Sequence, residues 1–479
     1  MVIVYCRLVI ILYVAMVVYV SCQHHRRKSE NFDKIENTLI QIFSLKTNWK
    51  KLSISNDRPN FQKLKFIQGL RFYNMLLVIF CHTTCSYING YVSSTEYIEL
   101  AYRNQIRLFM ATLFVFLVQT FFLISAFFLS YHVCQSMEVY RDSKLRYIVV
   151  TLLNRYLRLL PPVFVMVFLC KSSWVAGIFQ GPVKSFYVDR EYERCQKNWW
   201  ANILFVNNHY DYNNMCYLIT WYLSADTQLY LMSLLIMLII WKFRQRTKIV
   251  LILVIFIGIM IPAFMCYKYG LDMIYRITPE NSKTDKFRTF KFNAVYTSTY
   301  ANMASYMVGL AIGRFYFALD KGNVTLSGKH LLLLKCVFCT LPIAIILISS
   351  QEYSRTITIV LIGLVKPLYA LGIGAGILAM SQQKTDLVKT VCELPWVLFL
   401  GNFTYSTYVV QFGIVFYRTA AAYEPYFLSD SVLLTSFFQD VVLSIFCGFL
   451  MHIFLEMPAL QLQKMFVPQI RHISSSKQK

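Results

Sequence analysis

The sequence predicts an all-α, polytopic transmembrane helical bundle of about eleven helices: one N-terminal signal anchor and a ten-helix core. Three observations carry that prediction. Of 479 residues, 57% are apolar and only 15% are charged, too few to solvate a set of soluble domains. Apolar runs long enough to cross a bilayer recur from end to end, separated by polar loops. The 47 Lys and Arg, against 24 Asp and Glu, collect in alternate loops. In a soluble protein a net charge of +23 would suggest nucleic acid. In a membrane protein it is loop bias toward the cytoplasm, and no nucleic-acid partner is expected.

Residues 2–20 are apolar apart from Arg7 and are followed by His24, His25, Arg26, Arg27 and Lys28. A cleaved signal peptide carries its positive charge ahead of the apolar stretch. Here most of it lies behind, so residues 1–22 read as a signal anchor with the N terminus outside. Residues 23–65 read as a basic cytoplasmic linker with no sign of a folded domain, 66–457 as the membrane domain, and 458–479 as a basic cytoplasmic tail. Core spans are expected at 66–88, 106–131, 159–179, 219–241, 249–268, 300–318, 331–349, 357–380, 395–417 and 433–457. With the N terminus outside, the cytoplasmic segments hold roughly 27 Lys and Arg against roughly 11 opposite. A multi-pass protein of the secretory route or plasma membrane follows, with its C terminus in the cytoplasm.

Two outer loops stand out. The first, at 180–217, carries Asp189, Glu191, Glu193, Cys195 and Cys216. In an oxidising compartment the two cysteines would close a loop of about 20 residues, a constraint of roughly 3 kcal/mol. The second, 269–299, is polar and of mixed charge and would cap the bundle. Most of the 13 cysteines lie inside apolar runs, where Cys behaves as a small hydrophobe. Cys336 and Cys339 have zinc-like spacing but no second pair nearby, so no metal is expected. The sequons at Asn323 and Asn402 fall on the cytoplasmic side or at a helix start, and neither is expected to be glycosylated. No fixed-period repeat is visible, which disfavours a transporter of duplicated halves.

The chemistry is concentrated in FIQGLRFYNMLLVIFCHTTCSYI, Phe66 to Ile88, which carries Arg71 and His82. Eleven residues is within about 20° of three whole turns, so both side chains share one helix face, about 16 Å apart. Ionisable groups in a span mark a site by default. His82 reads either as a general base taking the proton of an acceptor hydroxyl or as a packing histidine. Arg155 and Arg158, in NRYLRLLPP, sit at i and i+3 just before the span expected from Leu159, with Pro161 and Pro162 ending or resetting that helix. They read as a phosphate clamp or as snorkelling anchors. Asp226, in WYLSADTQLYL, lies inside the fifth span at roughly the depth of His82, where it could orient the imidazole or make a structural hydrogen bond. Glu456 reads as a structural acid near a helix end, and Lys366, before Pro367, and Arg314 receive no role.

The order of these motifs resembles the integral-membrane acyltransferases of the acyltransferase 3 family, and within it animal proteins of the nose-resistant-to-fluoxetine type. The resemblance runs over roughly residues 40–465. It rests on FIQGLRFYNMLLVIFCHTTC, VQTFFLISAFFLSY, the Arg155, Arg158 and Pro161 motif, CQKNWWANILFVNN, WYLSADTQLYL, SYMVGLAIG, NFTYSTYVVQ and LEMP. It implies a ten-helix core moving an acyl group from a cytosolic acyl-CoA, typically acetyl-CoA, to a hydroxyl on a membrane-associated or extracytoplasmic acceptor. By resemblance the catalytic residue is His82, and Arg71, Arg155 and Arg158 attend the donor. The sequence departs from the family pattern where Asn302 stands for an arginine, Ser305 for a proline and Gln411 for a histidine. A large cysteine-rich extracellular region usual in the subgroup is expected to be lacking.

Two functions are therefore expected to compete. One is an O-acyltransferase using His82, oriented by Asp226, with an acyl-CoA donor, membrane lipids around it and an unidentified hydroxyl acceptor. The other is a non-catalytic lipid or small-molecule transport protein built on the same cavity.

Overall fold

Backbone that crosses a bilayer has no water to bond, so each segment must satisfy its N–H and C=O groups internally, and helix is the open-chain solution. The computed structural model follows that rule. It describes residues 2–26, 34–53, 59–88, 90–139, 144–276, 288–383 and 386–466. The expected basic residues Arg27 and Lys28, residues 277–287 of the second long loop and the tail from 467 lie outside the described residues.

The described chain is helical: α1 (Val2–Arg26), α2 (Lys34–Phe43), α3 (Leu45–Ser53), α4 (Pro59–Leu64), α5 (Phe66–Ile88), α6 (Glu96–Arg103), α7 (Gln105–Val139), α8 (Lys144–Cys170) and α9 (Arg190–Ile203). There follow α10 (Trp221–Lys242), α11 (Thr247–Tyr269), α12 (Thr299–Asp320), α13 (Gly328–Ser350), α14 (Arg355–Gln382), α15 (Thr404–Ala420), α16 (Asp430–Met451) and α17 (Met457–Phe466). Extended pairing among the described residues is limited to an isolated bridge between Val92 and Tyr426. Eight helices among the described residues are long and apolar enough to cross a membrane. This is an integral, multi-pass membrane protein.

The expected count of about eleven exceeds those eight because three expected spans differ in kind. α12 is long, but Asn302 and Ser305 are fully buried in it, so its surroundings are protein rather than lipid and it needs no apolar coat. The run expected at 395–417 divides into Pro395–Gly401 and a 17-residue α15. In α1 the described apolar helix is Ile11–Gln23.

One further expectation is corrected. Pro161 and Pro162 do not end a helix: α8 runs through them, so Arg155 and Arg158 lie within the helix rather than ahead of it. Two prolines release the carbonyls four residues earlier, a loss that neighbouring helices make tolerable in a membrane bundle. One neighbour reaches this stretch directly, the Tyr405 hydroxyl donating to the Leu159 carbonyl at 2.5 Å. The stretch before α5 carries helices of its own. Its helix α3 buries Asn48, whose side chain donates to the Ile42 carbonyl at 3.2 Å and accepts from Gln461 of α17 at 2.6 Å.

α7 and α12 pack backbone to backbone. Gly309 and Gly313, four apart on α12, face the backbone of Leu123 and Phe127, and a Cβ on Gly309 would stand 2.6 Å from the Leu123 carbonyl oxygen. Small residues at this spacing let two helix backbones touch, which is how bundles gain packing without a hydrophobic drive between helices. The contact sets α7 in place beside α5, and with it one wall of the candidate site.

Candidate functional site

α5 presents Val78, Cys81, His82, Cys85 and Ser86 on one face, the i, i+3, i+4, i+7 pattern of a helix, to a cavity of about 200 Å³. Opposite stand Phe114 and Val118 of α7, and Tyr408 and Phe412 of α15; Trp221 closes the start of α10. His82 Nδ1 lies 2.9 Å from the side-chain oxygen of Gln411. An amide oxygen only accepts, so Nδ1 carries the proton and Nε2 keeps its lone pair. No hydrogen bond to Nε2 occurs among the described residues. The ring is held edge-on by Phe412, centroids 5.4 Å apart. Gln411 is fully buried, and its amide nitrogen has no partner among the described residues.

Over the cavity lies the loop that carries the disulfide. Cys195 and Cys216 are bonded. Next to Cys216, Tyr217 takes a left-handed backbone, φ 47°. Its N–H donates to Glu191 Oε1 at 2.5 Å, while Arg288 donates to the other oxygen at 2.8 Å. The Tyr217 hydroxyl then donates to the Val409 carbonyl at 2.5 Å and accepts from the Gly413 N–H at 3.2 Å. Those contacts bracket Gln411. The disulfide loop therefore fixes the turn of α15 that holds His82. Glu191 with Cys195 and Cys216 is the one grouping of metal-type ligands among the described residues, and its two sulfurs are already bonded to each other.

At the other end of the site the arginines separate. Arg155 turns inward, pairs with Asp226 through Nη2, donates to Ser125 at 3.0 Å and lies 4.0 Å over the Tyr230 ring. Arg158, three residues on, is exposed. Arg71 is half-buried, 5.4 Å over Phe128, within electrostatic reach of Arg158, Arg155 and Asp226. Asp226, expected beside His82, is thus engaged by Arg155, and the position of an orienting partner is taken by Gln411. Between the two groups Tyr408 packs on Tyr222, centroids 5.6 Å apart. Glu456 is buried and accepts from Ser406 at 2.6 Å, with His452 at 2.7 Å, in keeping with a structural acid.

Three polar assemblies escaped the reading of the sequence. Asp440, fully buried on α16, takes both arms of Arg418 at 2.8 and 3.0 Å and the Thr83 hydroxyl at 2.7 Å. It was findable by the rule that picked out His82, an ionisable group inside an apolar run. Lys366 is not among the residues lining the His82 cavity: it donates to the carbonyls of Val295 at 2.7 Å and Ala301 at 3.2 Å and to Asn302 at 3.2 Å. It thereby ties α14 to the start of α12. Glu191 with Arg288 joins the first turn of α9 to a segment far away in sequence, which no local pattern announces.

The site thus joins a half-buried, amide-held histidine facing a cavity to one arginine on the same helix, Arg71, and two on α8, Arg155 and Arg158. Comparison with known proteins gives the family. Residues 64–455 match the model of the acyltransferase 3 family, described as an acyltransferase domain, and the chain belongs to that family. It is similar to nose resistant to fluoxetine protein 6 of Caenorhabditis elegans, 23% identical over 399 residues, covering 78% of this chain and 47% of the relative. The chain thus spans about half the length of that curated relative. No solved structure matches.

Proposed function

We propose that this chain is a membrane O-acyltransferase that moves an acyl group, acetyl in the simplest case, from acyl-CoA to a hydroxyl. The observation that carries the reading is the Gln411-held His82 facing the cavity, with a lone pair left on Nε2. In that role Nε2 takes the proton of the acceptor hydroxyl as its oxygen attacks the thioester carbonyl; the carbon–sulfur bond breaks, and the imidazolium returns the proton to the departing coenzyme A thiolate. Gln411 holds the ring in the tautomer that makes this proton transfer available. Arg71 and Arg158 bind the phosphates of the donor, since guanidinium groups offer phosphate two parallel bonds and permanent charge. Asp226 keeps Arg155 turned inward, so Arg155 borders the donor path through its stacked guanidinium rather than through a free charge.

The thioester passes the Tyr222 and Tyr408 pair to reach His82. In this proposal the arginine end faces the cytoplasm, in accord with the charge of the loops, and the disulfide end faces the oxidising side. The acceptor hydroxyl then enters beneath the Tyr217 loop. The test is purified full-length protein with radiolabelled acetyl-CoA, alone and with candidate hydroxyl lipids. The reading expects coenzyme A release that His82→Ala abolishes. Absence of donor binding in the wild type, together with persistent movement of a lipophile across vesicles, would instead establish the transport function.

A further inference from the structure

A second, larger cavity, of about 430 Å³, lies on the far side of α5 from His82. Its volume is in the range of sites that hold small organic ligands. Phe80, Ile88, Ile98, Ala111, Phe114 and Leu433 give it apolar walls drawn from α5, α6, α7 and α16. Phe114 borders both cavities. Hydroxyl groups inside it are already used: Thr84 donates to the Phe80 carbonyl at 2.9 Å, and the Tyr87 hydroxyl accepts from Arg418 at 3.0 Å. The interior is therefore mostly apolar, with few polar groups for a guest.

The mouth is different. Arg107 Nη2 lies 3.0 and 3.1 Å from the two oxygens of Asp430, the Tyr97 hydroxyl donates to the same carboxylate, and the guanidinium sits 4.8 Å over the Tyr97 ring. The Asp430 side chain is 69% exposed and that of Arg107 36%. The site thus has a dry, apolar body and one rim carrying both signs of charge, and α6 folds over it as a cover with Ile98 turned in.

We propose that this cavity binds a single-chain zwitterionic amphiphile, with its alkyl chain against Phe114 and its head at the rim. An anionic phosphate would meet Arg107 and an ammonium group would meet Asp430, each replacing part of the existing pair. A neutral alkyl alcohol lacks both contacts, and an anionic alkyl phosphate lacks the second.

The test uses a lysophosphatidylcholine with a photoreactive group near the chain end, added to the full-length protein in detergent, with adducts mapped by mass spectrometry. Adducts concentrated in residues 80–88, 98–114 and 428–434 are expected. Ala111→Phe and, separately, Ala101→Phe fill the cavity from two helices, and each is expected to weaken binding about tenfold or more. Asp430→Asn is expected to weaken binding of the zwitterion by up to about tenfold while leaving an alkyl phosphate little changed. Adducts spread evenly over lipid-facing helices such as Thr247–Tyr269, or unaltered by both filling variants in protein that still elutes as a folded species, would overturn the proposal. No acyl donor enters this measurement, so its result is separate from that of the acyltransferase reading.

Discussion

At the two ends of the site, polar residues on neighbouring helices are held by opposite means. The His82 ring of α5 rests on a neutral amide and an aromatic edge, while the inward-turned guanidinium of Arg155, on α8, is neutralised by a carboxylate. A carboxylate beside an imidazole stabilises the imidazolium, whereas an amide only fixes the tautomer. A base that starts and ends its cycle neutral is served by the amide. A guanidinium is charged at all times, so burying it requires a counter-ion, and Asp226 supplies it. On the proposed chemistry, the two solutions follow whether the group must change its charge.

The largest expected effect would sharpen this comparison at the histidine. His82→Ala is expected to lower acyl transfer by about 10² to 10⁴-fold, the usual reach of a positioned general base, with acyl-CoA binding retained. Transfer in the wild type is expected to fall as the solution is acidified, because protonated His82 cannot accept the hydroxyl proton, and this limb of the pH profile should vanish in the variant. Next comes the ion pair. Asp226→Asn leaves a buried guanidinium without its counter-charge and is expected to destabilise the protein by about 3 to 5 kcal/mol. The double variant Arg155→Gln, Asp226→Asn is expected to regain most of that in thermal unfolding. If the single and double variants unfold alike, the pair is not the counter-ion arrangement described.

Smaller effects distinguish the donor arginines from the buried one. Arg71→Gln and Arg158→Gln are each expected to weaken coenzyme A binding by about 1.5 to 3 kcal/mol, as read by calorimetry, with folding preserved. Smallest is Tyr217→Phe, which removes the hydroxyl bracketing Gln411 and is expected to cost about 0.5 to 1.5 kcal/mol of stability. If the loop positions Gln411, that variant lowers turnover more than it changes donor affinity.

Much of this architecture is legible in the chain. α5 begins at Phe66 and ends at Ile88 as read, because an apolar run bounded by polar residues leaves one way to bury its backbone. The Cys195 and Cys216 pair was readable from its loop. What could not be read is which helix faces turn toward each other. Asp226 was placed by depth alone, and depth does not distinguish His82 from Arg155 as its neighbour. Gln411 drew notice only as a departure from the family's histidine; that it partners His82 depends on how α15 faces α5, which the sequence does not state. The two prolines of α8 misled for another reason: the local penalty of proline is real, but contacts from α15, such as Tyr405 on Leu159, come from tertiary structure.

The central claim is that His82 is the base and that the arginines bind the donor without it. Single-turnover cleavage of saturating radiolabelled acetyl-CoA by wild type and His82→Ala, with donor binding measured on the same samples, tests it most directly. Equal binding and a cleavage rate reduced by about 10² or more in the variant are predicted. Equal cleavage rates in the two proteins would contradict the account.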